Sequence, residues 1–231
     1  MKRLRRWLLW SVVSFLFIST LPVIVLRWVP PPTSAVILGR ALSEGEQQDY
    51  QWVALERISP DVALAVVASE DQKFPTHRGF DLDAIKDAVK QHAQGERLRG
   101  ASTLTQQVAR NLFLWQGRSF LRKGLEAWLT VLLEIFWPKE RILEVYLNIA
   151  ETGRRTFGAQ AASLKFFSRP ASAITREQAA LLAAVLPNPV RLQASRPSAY
   201  VIRRRNEILQ QMTQLGGRGY LKEILPAAYL R

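Results

Sequence analysis

Residues 7–26, WLLWSVVSFLFISTLPVIVL, contain no charged side chain. At 1.5 Å of rise per residue, a run of this length makes a helix of about 30 Å, the thickness of a bilayer's hydrocarbon core. Lipid offers no partner to backbone polar groups, so such a segment has one viable fold, a single helix. Before it stands MKRLRR, four cations and no acid. Cations flanking a first span stay on the cytoplasmic side, which puts everything after residue 26 across the membrane. Trp7, Trp10 and Trp28 suit the two interfaces. A cleaved signal peptide is the alternative. Against it, the run is long for a signal core, and it leads into Arg27-Trp28-Val29-Pro30-Pro31-Pro32 rather than a small-residue cleavage site.

Charge is the second constraint. The 231 residues carry 32 Lys+Arg against 19 Asp+Glu, a net +13. Without residues 1–26, 28 cations still face 19 acids, a net +9. That excess asks for a polyanionic partner. Across the membrane from the cytoplasm, nucleic acid is excluded and a phosphorylated lipid fits. There is no cysteine, which rules out disulfides, thiolate metal sites and cysteine nucleophiles. With His77 and His92 as the whole histidine complement, a three-histidine metal centre is excluded as well.

Past a proline-rich linker, 30–52 reads as irregular or weakly extended. From there the signals are helical. Ser59-Pro60-Asp61 is a cap, a first-turn proline and a first-turn acid, opening an apolar helix through Ser69. Asp81 to His92 reads as another helix, and Thr103-x-x-Gln106 is a capping box before Leu104, Val108, Leu112 and Trp115 at helical spacing. Further helices are expected over 119–136, from Pro138 to near Gly153, over 157–167, from Arg176 behind a Thr175 cap, and over 197–215. No alternating strand series or internal repeat is present. The expected fold class is mainly α: a 1–6 basic segment, a 7–29 anchor, a 30–52 linker, a 53–220 domain and a 221–231 tail.

Three polar clusters interrupt this pattern. Glu70 ends the apolar stretch Val62–Ser69, where lost hydration raises a carboxylate toward the range of a working base. In Gly100-Ala101-Ser102-Thr103-Leu104-Thr105-Gln106-Gln107-Val108-Ala109-Arg110-Asn111, a helix start either offers N–H groups to an anion or is simply well capped by Ser102-Thr103, and Gln107 and Arg110 share a face. In Arg118-Ser119-Phe120-Leu121-Arg122-Lys123-Gly124-Leu125-Glu126, Arg122 and Glu126 are an i,i+4 pair, either a surface ion pair or part of a phosphate-holding wall. Asp81-Leu82-Asp83 could suggest a metal, but two acids in a first helical turn need no ligand.

The order EDQKFPTHRG, GASTLTQQVARN, RKGLEAWLTVLLE, KERILEVYLNIAETG with FGAQAA, and LPNP resembles the peptidoglycan glycosyltransferase family over about 60–215. S-x-x-K, SDN and KTG are missing, so a monofunctional member without transpeptidase activity is expected. The resemblance implies a lysozyme-like, two-lobed helical domain on its single transmembrane helix in the bacterial inner membrane, with the catalytic domain periplasmic. The implied reaction elongates β-1,4 glycan strands from lipid II by inverting transfer and releases undecaprenyl pyrophosphate. Glu70 matches the general base and Glu126 the second essential glutamate. Ser102, Gln107, Arg110, Arg118, Arg122 and Lys123 match positions lining the phosphate region, and Asn188 the last motif. Position 110 is usually lysine in the family; arginine's planar fork is not an equivalent phosphate ligand. His77 and Gly79 are expected to shape the first-motif turn.

The implied partners are lipid II, the growing lipid-linked strand, the membrane and other cell-wall synthesis proteins. No cofactor is expected from protein ligands, and any Mg²⁺ or Mn²⁺ would ride on the substrate's pyrophosphate. Two other readings stand beside this one: a glycan-cleaving enzyme of lysozyme type, which has no need of the Arg110–Lys123 cations, and a non-catalytic membrane scaffold, which has no need of Glu70. The topology is directly testable. A reporter active only in the periplasm should work when fused after Arg231, and a working cytoplasm-only reporter there would reverse the orientation.

Overall fold

In the computed structural model, residues 2–93, 102–117 and 119–230 are described. They are mainly α, with ten α-helices. The first, α1 (Lys2–Leu26), is apolar and long enough to cross a membrane, and little of it is covered by the rest of the chain. Its C-terminal end is different. Val23 is fully buried, and the carbonyls of the last turns, which a helix end leaves without intrahelical partners, meet donors from far along the sequence. Trp137 Nε1 donates to Val23 O at 2.6 Å. Arg141 donates to Leu26 O at 2.8 and 3.1 Å and to Val29 O at 2.8 Å. Trp128 adds a hydrogen bond to Ser19 Oγ at 3.1 Å and a ring contact with Phe15. Arg141 is itself buried between the Trp52 and Trp137 rings and bonded to Glu144, so the anchor is capped by a rigid group.

The stretch 30–52 is more ordered than its composition suggests. Ser34 Oγ accepts from Ile37 N and starts α2 (Ala35–Glu44), which Gly45 ends in the left-handed region. Asp49–Tyr50 then forms β1. It pairs in parallel with β3 (Thr156–Phe157), which pairs antiparallel with β2 (Glu151–Gly153), in the order β1-β3-β2. Strands of two or three residues are too short to show alternation in sequence. Val36 and Ile37 pack on Phe157, so α2 is held by a small core of its own.

The main core is built around α3 (Pro60–Glu70), whose residues Asp61 to Ala68 are buried. It packs against α9 (Arg176–Val185) and α10 (Ala199–Gln214), where Ala63, Ala65, Ala179, Ala180, Ala183 and Ala184 are fully buried. Alanine lets helix axes approach closely. A second group joins α5 (Leu104–Phe113), α6 (Phe120–Phe136) and α7 (Lys139–Ile149), and α4 (Leu82–Ala93) follows the first-motif turn. The capping boxes at Thr103 and Thr175 are both formed. Helix α7 stops at Ile149, short of Gly153, because residues 151–153 belong to β2.

Asn148 closes the α7 end by bonding both backbone groups of Val53, at 2.9 and 3.0 Å. Gly158 follows at φ +80°, opening α8 (Gly158–Phe167); a Cβ there would lie 2.3 Å from Asn148 O, so no other residue fits. After α10, a 3₁₀ segment (Gly217–Glu223) carries the chain back over α3. Leu221 and Leu225 are buried in the main core, so residues 221–230 pack as part of the domain instead of trailing from it.

Candidate active site

Glu70 is the last residue of α3, at the exit of a buried apolar helix. The turn after it is fastened on one side to α5. The buried Asp71 carboxylate meets His77 Nε2 at 2.9 and 3.0 Å and accepts from Leu104 N at 2.9 Å. His77 Nδ1 accepts from Gly79 N at 3.0 Å, which assigns the ring proton to Nε2, facing Asp71. Thr103 Oγ1 donates to Gly79 O at 2.7 Å. Gly79 sits at φ +84°, and a Cβ on it would lie 2.7 Å from Thr130 and 2.9 Å from Glu134. His77 and Gly79 thus shape this turn, as expected.

The same contacts decide between the two readings of the α5 start. The start of α5 is not a vacant anion site, because Leu104 N is taken by Asp71 and Gln106 N by Thr103 Oγ1. Asp81 and Asp83 are equally accounted for. Asp81 caps α4 through Asp83 N and Ala84 N, and both acids bind Lys73. Among the described residues, no group of three or more His, Asp or Glu could hold a metal ion.

The Glu70 carboxylate faces α5. Gln107 Nε2 donates to its Oε2 at 3.0 Å, and Gln107 Oε1 accepts from the buried Tyr146 hydroxyl at 3.3 Å. Burial raises the Glu70 pKa; the Gln107 hydrogen bond and the charges of Arg204 and Arg110 pull it back in part, while Asp71 pushes it up. Burial also pushes Tyr146 well above the usual phenol value, so it acts as a neutral donor to Gln107.

Two hollows flank this hydrogen bond. A cleft of about 500 Å³ is lined by Gln107, Arg110 and Asn111 of α5, Arg122 of α6 and Tyr146, and faces Glu151, Leu186, Pro187 and Pro189. A smaller hollow of about 270 Å³ is lined by Glu70, Lys73, Asp81 and Ser102. Gln107 therefore belongs to the large cleft and reaches Glu70 across its edge.

Glu126 lies behind the cleft, 0% exposed. Arg122 Nη1 donates to its Oε2 at 2.9 Å, and Lys123 Nζ donates to Oε1. The i,i+4 pair is thus not a surface ornament: the carboxylate is fully enclosed, and two cations compensate it. Arg122 is largely buried and lines the cleft, while Lys123 is half exposed.

Gln107, Arg110 and Arg122 share one cleft, with Glu126 behind them and Glu70 at the edge. Ser102 lies with Glu70 in the smaller hollow instead of on the cationic wall. Asn188 is exposed, and its flanking Pro187 and Pro189 form the far rim; its carbonyl accepts from Arg191 N and Leu192 N. Arg118 lies outside the described residues. Tyr146 and Arg204 went unrecognised in the sequence. The first looks like core, and the second is one of three successive arginines, Arg203 to Arg205, whose positions on α10 alone reveal which faces Glu70.

The raised Glu70 pKa has a stability consequence of definite sign. The folded state holds the Glu70 proton more tightly than the unfolded chain does, so this group's contribution falls as pH rises through and above the ordinary glutamate range. Glu70→Gln should therefore raise the thermal midpoint at neutral pH, with the gain shrinking on acidification. Thermal unfolding at pH 7.5 and pH 4 is the measurement; an unchanged or lowered neutral midpoint contradicts the assignment.

Residues 37–213 match the family model described as Transglycosylase. The chain is 55% identical over 228 residues to a biosynthetic peptidoglycan transglycosylase of Pseudomonas putida, covering 96% of this chain and 95% of that protein. Proteins of the same name from Pseudomonas entomophila and Xanthomonas campestris pv. campestris are 54% and 52% identical, over 97% and 96% of this chain and 95% and 92% of their own. By this match and these identities, the chain belongs to the peptidoglycan transglycosylase family.

Proposed function

We propose that this protein polymerises peptidoglycan glycan from lipid II at the outer face of the bacterial inner membrane. The donor is the growing strand on undecaprenyl pyrophosphate, and the acceptor is the GlcNAc 4-hydroxyl of incoming lipid II. The acceptor oxygen attacks C1 of the donor sugar from the face opposite the leaving group. Its proton passes to Glu70, the C1–O bond to phosphate breaks, and undecaprenyl pyrophosphate departs with that electron pair. The anomeric centre inverts, giving a β-1,4 link.

The observation that carries this reading is the Gln107–Glu70 hydrogen bond, which joins a partly shielded carboxylate to the edge of the cationic cleft. Burial raises the basicity of Glu70, as a base for a weakly acidic hydroxyl requires. Arg110 and Arg122 line the space where pyrophosphate charge would develop, and fixed cations lower the cost of that charge. Glu126 holds Arg122 and Lys123 in place and takes no proton in this scheme. Ser102, beside Glu70 in the smaller hollow, contacts substrate near the reacting sugars; Asn188 stands at the rim, and Arg118 adds a further cation. Any divalent ion enters on the substrate's pyrophosphate, because Asp71, Asp81 and Glu126 already bind His77, Lys73 and the Arg122–Lys123 pair. The anchor α1 and its basic amino terminus fix the cleft at the surface where the lipid-linked substrate resides.

Glu70→Gln should lower lipid II polymerisation by about 10²–10⁴-fold while keeping the affinity for moenomycin, a phosphoglycolipid inhibitor. Arg110→Ala should cost about 10²-fold or more through lost leaving-group stabilisation, and Arg110→Lys should retain most activity. Glu126→Gln should weaken inhibitor binding as well as rate. Near-parental polymerisation by Glu70→Gln would refute the mechanism.

A further inference from the structure

The segment after α10 touches both ends of the helix that carries Glu70. Gly216 (φ +92°) and Gly217 (φ +69°) turn the chain out of α10 into the 3₁₀ segment. Arg218 then donates to both carboxylate oxygens of Asp61, at 3.2 and 2.7 Å, in the first turn of α3. Two residues on, the Tyr220 hydroxyl donates to the backbone carbonyl of Gln72, the second residue past Glu70. Leu221 and Leu225 hold the segment down by burial in the core that surrounds Val62 to Ala68.

We infer that Arg218 and Tyr220 form a clasp on α3, and that Tyr220 is a positioning residue for Glu70. The inference rests on the reading of Glu70 as the general base. Where a helix's last side chain points is decided by how the helix is seated and by the turn that leaves it. Asp71 ties one side of that turn to α5 and His77. Tyr220 ties the other side through Gln72 O, and Gln72 Nε2 returns to Ala68 O at 3.0 Å on α3 itself. Glu70 is thus held between two fastenings; Asp71 and Gln72 line the smaller hollow beside it, and neither they nor Tyr220 line the cationic cleft. Catalytic groups tolerate little displacement, about 0.5 Å, before rate falls, so a loosened turn slows the reaction without weakening substrate binding.

The test compares Tyr220→Phe, which keeps the ring and loses the donor, with Arg218→Ala and Glu70→Gln in the full-length protein. Lipid II polymerisation kinetics, moenomycin affinity and thermal midpoint are measured for each. Tyr220→Phe should lower kcat about fivefold, the factor that one neutral hydrogen bond supplies, with KM and inhibitor affinity unchanged. Arg218→Ala should also lower kcat, but with a fall in midpoint, since the buried Asp61 carboxylate loses the Arg218 guanidinium. Parental kcat in Tyr220→Phe, beside an inactive Glu70→Gln, overturns the clasp and leaves the base assignment standing. A rise in KM or a fall in inhibitor affinity that matches the fall in rate of Tyr220→Phe also overturns it, since Tyr220 would then be a general packing residue. An active Glu70→Gln overturns the reading beneath the inference instead.

Discussion

A carboxylate at the end of an apolar helix is badly placed twice over. It loses hydration, and it faces the negative end of the helix dipole. Glu70 occupies such a place at the close of α3, and much of the surrounding structure answers to it. Gln107 gives it one hydrogen bond, Tyr146 fixes Gln107, and Arg204 and Arg110 supply positive charge from two other helices. None of them forms an ion pair with it. The compensation is partial, which leaves Glu70 more basic than an exposed glutamate, and Gln107 links it to the edge of the cleft.

Glu126 is treated in the opposite way. It is fully enclosed, but Arg122 and Lys123 bind both of its oxygens. A buried carboxylate so paired is a structural charge that orients its partners. Two glutamates with different electrostatics thus flank the cleft: Glu70 at its edge, shielded and weakly compensated, and Glu126 behind it, enclosed and doubly paired. The proposed transfer would use both, a base for the incoming hydroxyl and a fixed cationic wall for the departing charge.

Much of this was legible in the sequence. The anchor, the Ser59, Thr103 and Thr175 caps, the apolar run ahead of Glu70 and the clustering of Arg122, Lys123 and Glu126 are local patterns, and local chemistry decided them. Helix α2 was hidden by the prolines before it and by its brevity, since it is stabilised by Phe157 more than a hundred residues away. At the α5 start, spacing left a cap and an anion site both open, and Asp71, 33 residues earlier, decides for the cap by taking the Leu104 N–H. Arg141 capping the anchor, Arg204 facing Glu70 and Tyr220 holding Gln72 all depend on tertiary contacts that no spacing rule encodes. What sequence misses here is the second layer, the groups that hold the first in position.

If Glu70 is the shielded base proposed, the pH–rate profile of lipid II polymerisation reads that property most directly. With labelled lipid II saturating and products sized on a gel, the rate should climb along an acid limb. Its midpoint should lie above the ordinary glutamate range, and lysozyme should digest the polymer. A rate that is flat through that range, or a midpoint at or below it, would contradict the shielded base and the mechanism built on it.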